Sequence, residues 1–111
     1  YVVLTNDPQP PSESLAGCTI NDFAVIGAKT IIFPGVNIGK DALVGAGSNI
    51  TNTVNDGSVV VASAAKKLCH ISQVIPRSGE TIKPYPWRRH FHKGYPDFII
   101  KQWKKEFSNI E

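Results

Sequence analysis

The sequence predicts an all-β solenoid built from short parallel strands, followed by a C-terminal extension that contains a helix. Two features predict the strands: a period of six residues in the middle of the chain, and a composition that favours turns. Nine glycines and eight prolines are spread through 111 residues, and only 19% of the residues are charged. Such a chain suits short strands and many turns better than a helical bundle.

A β-branched aliphatic residue stands at every sixth position between residues 20 and 50. These anchor positions are Ile20, Ile26, Ile32, Ile38, Val44 and Ile50. A period of six is neither that of a helix nor that of a plain strand, and it suits a triangular coil with three flat faces. We expect the anchors to point into the coil, and the glycines that follow them (Gly27, Gly39 and Gly45) to ease the corners.

The period breaks near the start of the chain. The apolar run Tyr1-Val2-Val3-Leu4 is typical of the middle of a strand, and the chain contains no methionine, so we expect the natural chain to begin further upstream. Residues 8–17 are rich in Pro, Ser and Gly, with Pro8 and Ser14 at positions where aliphatics would fall. The sequence therefore predicts an external loop at about residues 5–17. A β-sandwich is the alternative fold, but it needs longer strands with two-residue alternation.

The repeats resemble those of the hexapeptide-repeat acyltransferases. The stretch Ala24-Val-Ile-Gly-Ala-Lys-Thr-Ile-Ile-Phe-Pro-Gly-Val-Asn-Ile-Gly-Lys-Asp-Ala-Leu-Val-Gly-Ala-Gly-Ser48 is similar to the family's coils, and residues 49–66 are similar to its terminal coil. That coil usually ends valine-alanine-glycine-X-proline-alanine-lysine, whereas here Ala62 replaces the glycine and Ala64 the proline. The resemblance covers about residues 1–68 and implies a left-handed parallel β-helix, although parallel crossovers are right-handed in about 98% of other cases.

The resemblance also implies a function. Thr5-Asn6-Asp7-Pro8 is similar to the start of the external loop in members that acetylate amino groups on nucleotide-linked sugars. We therefore expect a cytoplasmic, acetyl-CoA-dependent N-acetyltransferase of cell-surface polysaccharide biosynthesis, assembled as a homotrimer with shared active sites. No apolar run is long enough to span a membrane, and no nucleic-acid motif is present. The alternatives are a sugar O-acetyltransferase and a non-catalytic β-helix oligomerisation module.

The family's donor groove lies between subunits, where backbone amides of stacked coils contact the coenzyme. The resemblance places Ala28, Ala46, Gly47 and Ser48 along this groove, and Lys66 near the coenzyme phosphates. Small side chains at these positions would let the backbone approach the ligand, but small residues also suit the corner of a coil. Lys67, Arg77, Arg88 and Arg89 either add positive charge there or form a solvated basic surface.

The catalytic base is not evident from the sequence. Many O-acyltransferases of this family use a histidine near the start of the external loop, where this chain has Thr5-Asn6-Asp7. Its histidines, His70, His90 and His92, lie outside the repeats. Either the base lies upstream, or Asn6 or Asp7 positions the acceptor. An amine acceptor lowers the demand on a base, because proton removal can follow attack.

Residues 69–111 carry no period of six and are expected to form an extension that packs on the solenoid. Residues 66–111 carry ten Lys/Arg and four acids, a net charge of +6, against −3 for residues 1–65. Pro96 and Asp97 predict the start of a helix that ends near Phe107. We expect the extension to cover the edge of the last coil. The aromatic and basic segment 85–96 would alternatively stack on a nucleotide base or bind a partner.

No metal site is expected in this chain. His90 and His92 would supply two ligands at most, and the coils contain no histidine that would complete a site of defined geometry. Cys18 and Cys69 have no metal-binding spacing and are expected to be free thiols.

Overall fold

The computed structural model describes residues 1–62, 65–74, 89 and 94–107. The chain divides into two compact units, Tyr1–Cys69 and His70–Glu111. Among the described residues, nine strands form in this order: β1 (Val3–Leu4), β2 (Thr19–Ile20), β3 (Val25–Ile26), β4 (Ile31–Ile32), β5 (Asn37–Ile38), β6 (Leu43–Val44), β7 (Asn49–Ile50), β8 (Ser58–Val61) and β9 (Lys66–His70).

The strands form three sheets that the chain visits in turn. Sheet A has the order β1-β4-β7, sheet B has β2-β5, and sheet C has β3-β6-β8-β9. The parallel pairs Ile20↔Ile38, Val25↔Leu43 and Ile31↔Asn49 each join residues eighteen positions apart, which is three steps of six. Each group of three strands is therefore one coil, and the arrangement fits the predicted β-helix.

Two departures from the eighteen-residue register locate an insertion and a deletion. Leu4 pairs with Ile32, twenty-eight positions later, because ten extra residues lie between β1 and β2, where the sequence predicts the external loop. Val54 bridges to Ile38 and Val60 pairs with Val44, both only sixteen positions apart. The third coil is therefore shorter by two residues, which the sequence did not reveal.

The anchor positions from Ile32 onward form the core of the first unit. Four anchors are at most 1% exposed: Ile32, Ile38, Val44 and Ile50. Val54 and Val60 of the third coil belong to the same buried cluster. Ile26 is half-buried, and Ile20 is 42% exposed. Ile20 departs from the prediction because, in the part of the chain described here, β2 has a neighbouring strand on one side only.

The corners between faces are made by residues in the left-handed region of backbone space. Five such residues recur at six-residue steps, with φ between 58° and 75°: Phe23, Lys29, Gly35, Asp41 and Gly47. The anchor glycines have a different role from the one expected. A Cβ atom on Gly27 would lie 2.6 Å from Ala46 Cα, and one on Gly45 would lie 2.7 Å from Val61 Cγ1. These glycines are required because the next coil approaches closely.

Strand β9 lies at the edge of sheet C beside β8. It begins at Lys66, so residues that directly follow the last coil lie beside β8. That the extension of residues 69–111 packs on the solenoid stays a prediction. Leu68 is 68% exposed on this strand.

The second unit contains the predicted helix, α1 (Asp97–Phe107). Phe107 is buried, Ile99, Ile100 and Trp103 are half-buried, and Lys104 and Lys105 are exposed near its C-terminal end. The prediction of this helix is confirmed. A 3₁₀ helix (Ile71–Gln73) begins after His70, whose ring nitrogen accepts a hydrogen bond from the Ser72 amide at 3.2 Å. Within the described residues, neither helix has the length and apolar character needed to cross a membrane.

Candidate functional site

Three of the predicted donor-binding residues lie together on one corner of the coil. Ala28 begins the turn between β3 and β4, and Ala46 and Gly47 occupy the same turn one coil later. The Gly47 amide donates a hydrogen bond to the Ala28 carbonyl at 2.8 Å, and all three residues are exposed. We call this corner, from sheet C to sheet A, the C–A edge; it comprises residues 28–29, 46–47, 62 and 65–66.

The C–A edge continues upward to Lys66. In the third coil the Ala65 amide donates to the Asn49 carbonyl at 3.0 Å, and the Asn49 amide donates to the Ala62 carbonyl at 3.3 Å. Lys66 is exposed at the start of β9. Ala62, which stands where the family has glycine, adopts φ 83°, so an alanine occupies a conformation that usually costs non-glycine residues about 1–2 kcal/mol. Ala64 lies outside the described residues.

Ser48 faces away from the exposed edge. It is fully buried, and its hydroxyl donates to the Gly45 carbonyl at 2.6 Å. Thr30, one coil earlier, is buried in the same way and donates to the Gly27 carbonyl at 2.8 Å. These two hydroxyls stabilise the corner from inside the coil. Only the backbone of Ser48 is therefore available to a ligand on the C–A edge.

Asn6 lies where the external loop leaves the coil, just after strand β1 of sheet A. Its carbonyl accepts a hydrogen bond from the Ala16 amide at 2.8 Å, and the Ala16 carbonyl accepts one from Gly35 at 3.1 Å. The preceding residue, Thr5, donates its amide and its hydroxyl to the Ile32 carbonyl at 3.0 and 2.9 Å. The backbone on both sides of the loop is therefore held to the coil, while Asn6 itself remains exposed.

Asp7 organises the loop that follows. One carboxylate oxygen accepts from the Gln9 amide at 3.1 Å and the other from the Ser12 amide at 3.0 Å. Because both oxygens already bind loop amides, this carboxylate is used to shape the loop. Asn6 is exposed, whereas Asp7 is half-buried.

The free thiol of Cys18 lies beside the base of the same loop. Its sulfur donates to the carbonyls of Thr5 and Phe33, each at 3.3 Å. Cys69 is also a free, half-buried cysteine, as expected from the spacing of the two residues. Cys18 thus helps to join the base of the loop to β4 and its flanking turn.

The structure does not bring the two sets of candidates together within one chain. Asn6 and Asp7 follow β1, whereas Ala28 and Ala46 precede β4 and β7 of the same parallel sheet. About five residues of extended chain separate Ala28 from the residue beside Thr5, which is roughly 16 Å at about 3.3 Å per residue. The two sets therefore lie at opposite ends of the strands of sheet A.

One further residue on the C–A edge was missed by the sequence reasoning. Lys29 follows Ala28, is exposed, and has φ 59°. It stands eighteen positions before Gly47, so the register that placed Ala28 beside Ala46 already contained the signal.

The other basic and histidine candidates contribute less to this edge. Arg89 is only 9% exposed, and its guanidinium carbon lies 5.4 Å from the Trp103 ring centre and 4.8 Å from that of Phe107, so it packs within the second unit. Lys67 is exposed on β9. Arg77, Arg88, His90, His92 and most of segment 85–96 lie outside the described residues. Among those described, no group of three or more His, Cys, Asp or Glu side chains is arranged to hold a metal.

Comparison with known proteins shows which proteins the chain is similar to. No family model matches the chain. A 2,3,4,5-tetrahydropyridine-2,6-dicarboxylate N-acetyltransferase of Staphylococcus aureus is 40% identical over 72 residues, 65% of this chain and 29% of that protein. Among solved structures, Neisseria gonorrhoeae serine acetyltransferase superposes with a TM-score of 0.55 and 29% identity, over 62% of this chain and 26% of that one. The chain therefore resembles hexapeptide-repeat acetyltransferases in sequence and in fold.

A second structural neighbour within the fold is the N-acyltransferase AntD of Bacillus cereus, determined with dTDP-4-amino-4,6-dideoxyglucose and coenzyme A. It superposes with a TM-score of 0.51 and 23% identity, over 62% of this chain and 44% of that chain. This hexapeptide-repeat chain spans less than a third of the length of the Staphylococcus relative.

Proposed function

We propose that the full-length protein containing this chain is an acetyl-CoA-dependent N-acetyltransferase that acts on the amino group of a nucleotide-linked sugar, in cell-surface polysaccharide biosynthesis. The C–A edge carries the proposal: three small exposed residues, Ala28, Ala46 and Gly47, present backbone on adjacent coils, and an exposed lysine follows them. The resemblance to hexapeptide-repeat acetyltransferases supports a left-handed coil.

The donor would lie along the C–A edge with its phosphates toward Lys66. The small side chains leave room for an extended pantetheine arm against the backbone, where amides and carbonyls bind its amide groups. Only the backbone of Ser48 would take part, since its hydroxyl is bonded to Gly45 inside the coil. Acetyl-CoA is supported as donor by the coenzyme A in the AntD complex.

The acceptor would bind near Asn6, whose backbone is held by Ala16. In the proposed reaction the acceptor nitrogen attacks the thioester carbon, the carbon–sulfur bond breaks, and coenzyme A leaves as a thiol with the proton that the nitrogen releases. An amine suits this site because proton removal can follow attack. Asn6 would orient the acceptor by hydrogen bonding, and Asp7 would maintain the loop that carries it.

An acetyl-transfer assay on the full-length protein tests the acceptor class. Release of the coenzyme A thiol is measured with nucleotide-linked amino sugars and with the matched sugars that carry a hydroxyl in place of the amine. We expect acetylation of the amine only. Acetylation of the hydroxyl would establish the O-acetyltransferase alternative, and a protein that neither binds coenzyme A nor releases the thiol would be an oligomerisation module.

We also propose a homotrimer in which each active site uses two subunits. Asn6 and the C–A edge lie at opposite ends of the strands of sheet A. In a trimer, a donor bound to one subunit would therefore reach an acceptor held by the neighbouring subunit. Outward-facing aliphatic side chains on sheets A and C support such contacts, since Val3 is 52%, Val25 45% and Ile31 37% exposed.

Subunit mixing tests the shared site. Asn6→Ala should inactivate the acceptor side, and Ala46→Glu should block the donor side by bulk and charge. Trimers co-refolded from equal amounts of the two variants should regain about a quarter of wild-type activity, because in a cyclic assembly each site draws its halves from two subunits at random. The double variant carrying both changes is the control and should stay inactive. Mixed trimers without activity would place the whole site in one subunit.

Lys66→Ala should weaken donor binding and leave the chemical step nearly unchanged. Losing one charge-assisted phosphate contact at an exposed position is expected to raise the donor KM about five- to thirtyfold. Because the contact is far from the thioester, kcat should change little. Steady-state kinetics at saturating acceptor would measure both constants.

The matched control is Lys67→Ala, since neighbouring residues of β9 point to opposite faces of the strand. Its donor KM should stay within about twofold of wild type, a change well below one lost contact. A large fall in kcat for Lys66→Ala with unchanged donor KM would reject the binding role, and equal effects of the two variants would indicate only a diffuse basic surface.

A further inference from the structure

Phe33 is an exposed aromatic residue at the corner where the coil passes from sheet A to sheet B. It directly follows β4, and 41% of its surface is exposed. The register of sheet A places Thr5 beside it one coil earlier and Thr51 beside it one coil later. An aromatic ring therefore stands between two threonines on this corner.

The ring of Phe33 is not required by the geometry of the corner. Among the described residues, the two-residue strands β1–β7 are each followed by one corner residue. Apart from Phe33, these corner residues are small or polar: Thr5, Asn21, Gly27, Gly39, Gly45 and Thr51. Phe33 also lies outside the buried cluster of the first unit. Its side chain is thus available for a contact outside the coil.

The backbone that carries the ring is firmly held. The Phe33 carbonyl accepts a hydrogen bond from the Val36 amide at 3.3 Å, which closes a turn with Pro34 and Gly35 at its centre. Gly35 has φ 75°, the conformation that a type II turn requires of its third residue. The Cys18 sulfur donates to the same Phe33 carbonyl at 3.3 Å. A side chain on such a fixed backbone binds a ligand with little loss of conformational entropy.

Phe33 stands close to Asn6, the residue to which acceptor binding is assigned. Adjacent coils stack about 4.8 Å apart, so the Thr5 backbone lies at about that distance from Phe33, and Asn6 is the next residue along the chain. The two segments are also joined through Ala16, whose amide donates to the Asn6 carbonyl at 2.8 Å and whose carbonyl accepts from Gly35 at 3.1 Å. One small ring would therefore reach both side chains.

We propose that Phe33 is a specificity-determining residue of the acceptor site, whose ring packs against the apolar C–H face of the acceptor sugar. This inference rests on the proposed function and deepens it. Ligand sites combine apolar and aromatic surface with a few polar groups that fix orientation, and Phe33 and Asn6 would supply one of each. The nucleobase is the other flat group of such an acceptor. The sugar is favoured because it carries the reacting amine, whereas two phosphates separate the base from it.

Calorimetric titration of the full-length protein tests the assignment with two ligands. One is the nucleotide-linked amino sugar that the wild type acetylates, and the other is the matching nucleoside diphosphate, which lacks the sugar. Phe33→Thr installs the residue that the same corner carries on both neighbouring coils. It should raise the Kd of the nucleotide-linked sugar about three- to tenfold, as expected for one lost aromatic contact, and leave that of the nucleoside diphosphate unchanged.

Two further variants sharpen the test. Phe33→Tyr keeps the ring and should bind the nucleotide-linked sugar as the wild type does. Phe98→Thr is the matched control, because Phe98 is an exposed aromatic residue on α1 of the second unit. It removes the same side chain elsewhere and should leave both Kd values unchanged. Light scattering should show that Phe33→Thr and the wild type have the same mass in solution.

The outcomes separate this inference from the proposed function. If Phe33→Thr binds the nucleotide-linked sugar as well as the wild type does, the assignment is wrong and the acceptor site stands without it. Equal weakening for the nucleoside diphosphate would mean that the ring contacts the base, and a lower mass in solution would mean that it contacts another subunit. Either result overturns the assignment. If the wild type binds no nucleotide-linked amino sugar, the proposed function fails and the assignment fails with it.

Discussion

Ile38→Asp is expected to prevent the first unit from folding. Ile38 is fully buried and lies in the core cluster with Ile32, Val44 and Val54. An aspartate there would place a carboxylate inside a narrow coil lined by aliphatic side chains, at a cost of several kcal/mol. That is comparable with the whole stability of a typical domain, about 5–15 kcal/mol. Circular dichroism and thermal melting of the purified protein would show the loss.

Asn37→Asp is the control, because it introduces the same side chain one position earlier on the same strand. Asn37 is exposed and points outward, where its side-chain oxygen accepts a hydrogen bond from Asn21 at 2.6 Å. Aspartate retains that acceptor, so the control should fold with nearly wild-type stability. If Ile38→Asp melted at the same temperature as Asn37→Asp, the inward orientation of the six-step positions would be wrong.

Gly27→Ala is expected to have the second largest effect, although it adds one methyl group. The new Cβ would lie 2.6 Å from Ala46 Cα and 2.8 Å from the Gly45 carbonyl carbon, both backbone atoms of the next coil. Backbone cannot rotate away as a side chain does, so the two coils must separate at this corner. We expect a loss of about 3 kcal/mol in unfolding free energy, near the upper end for overpacking. Denaturant unfolding would measure it.

The same substitution should also disturb the donor site, since it moves Ala46 and Gly47 relative to Ala28. Gly17→Ala is the matched control, because a Cβ on Gly17 meets no atom within 4 Å. That variant should keep its stability and its affinity for coenzyme A. Equal unfolding free energies for the two glycine variants would show that the coils do not approach as closely as the structure indicates.

Several features of the candidate site could be predicted from the sequence because they follow the six-residue register. Ala28, Ala46 and Gly47 recur at related positions, so any coil with this period brings them to one edge. Lys29 follows from the same register. The orientation of Ser48 could not be foreseen in this way, because a small polar side chain at a corner can point either into the coil or toward solvent. Its burial depends on the Gly45 carbonyl that accepts its hydroxyl inside the coil.

The sequence by itself determined the coil period, the inward anchors from Ile32 onward, the position of the inserted loop and the bounds of α1, because each depends on the type and spacing of residues along the chain. Only the tertiary structure decided what happens between coils. Three findings depend on which backbone groups meet in space. The third coil is shorter, β9 lies beside β8, and both Asp7 carboxylate oxygens accept hydrogen bonds from loop amides. Gly27 shows the reason most clearly: its role depends on Ala46, nineteen residues later, whose backbone occupies the volume where a side chain would stand.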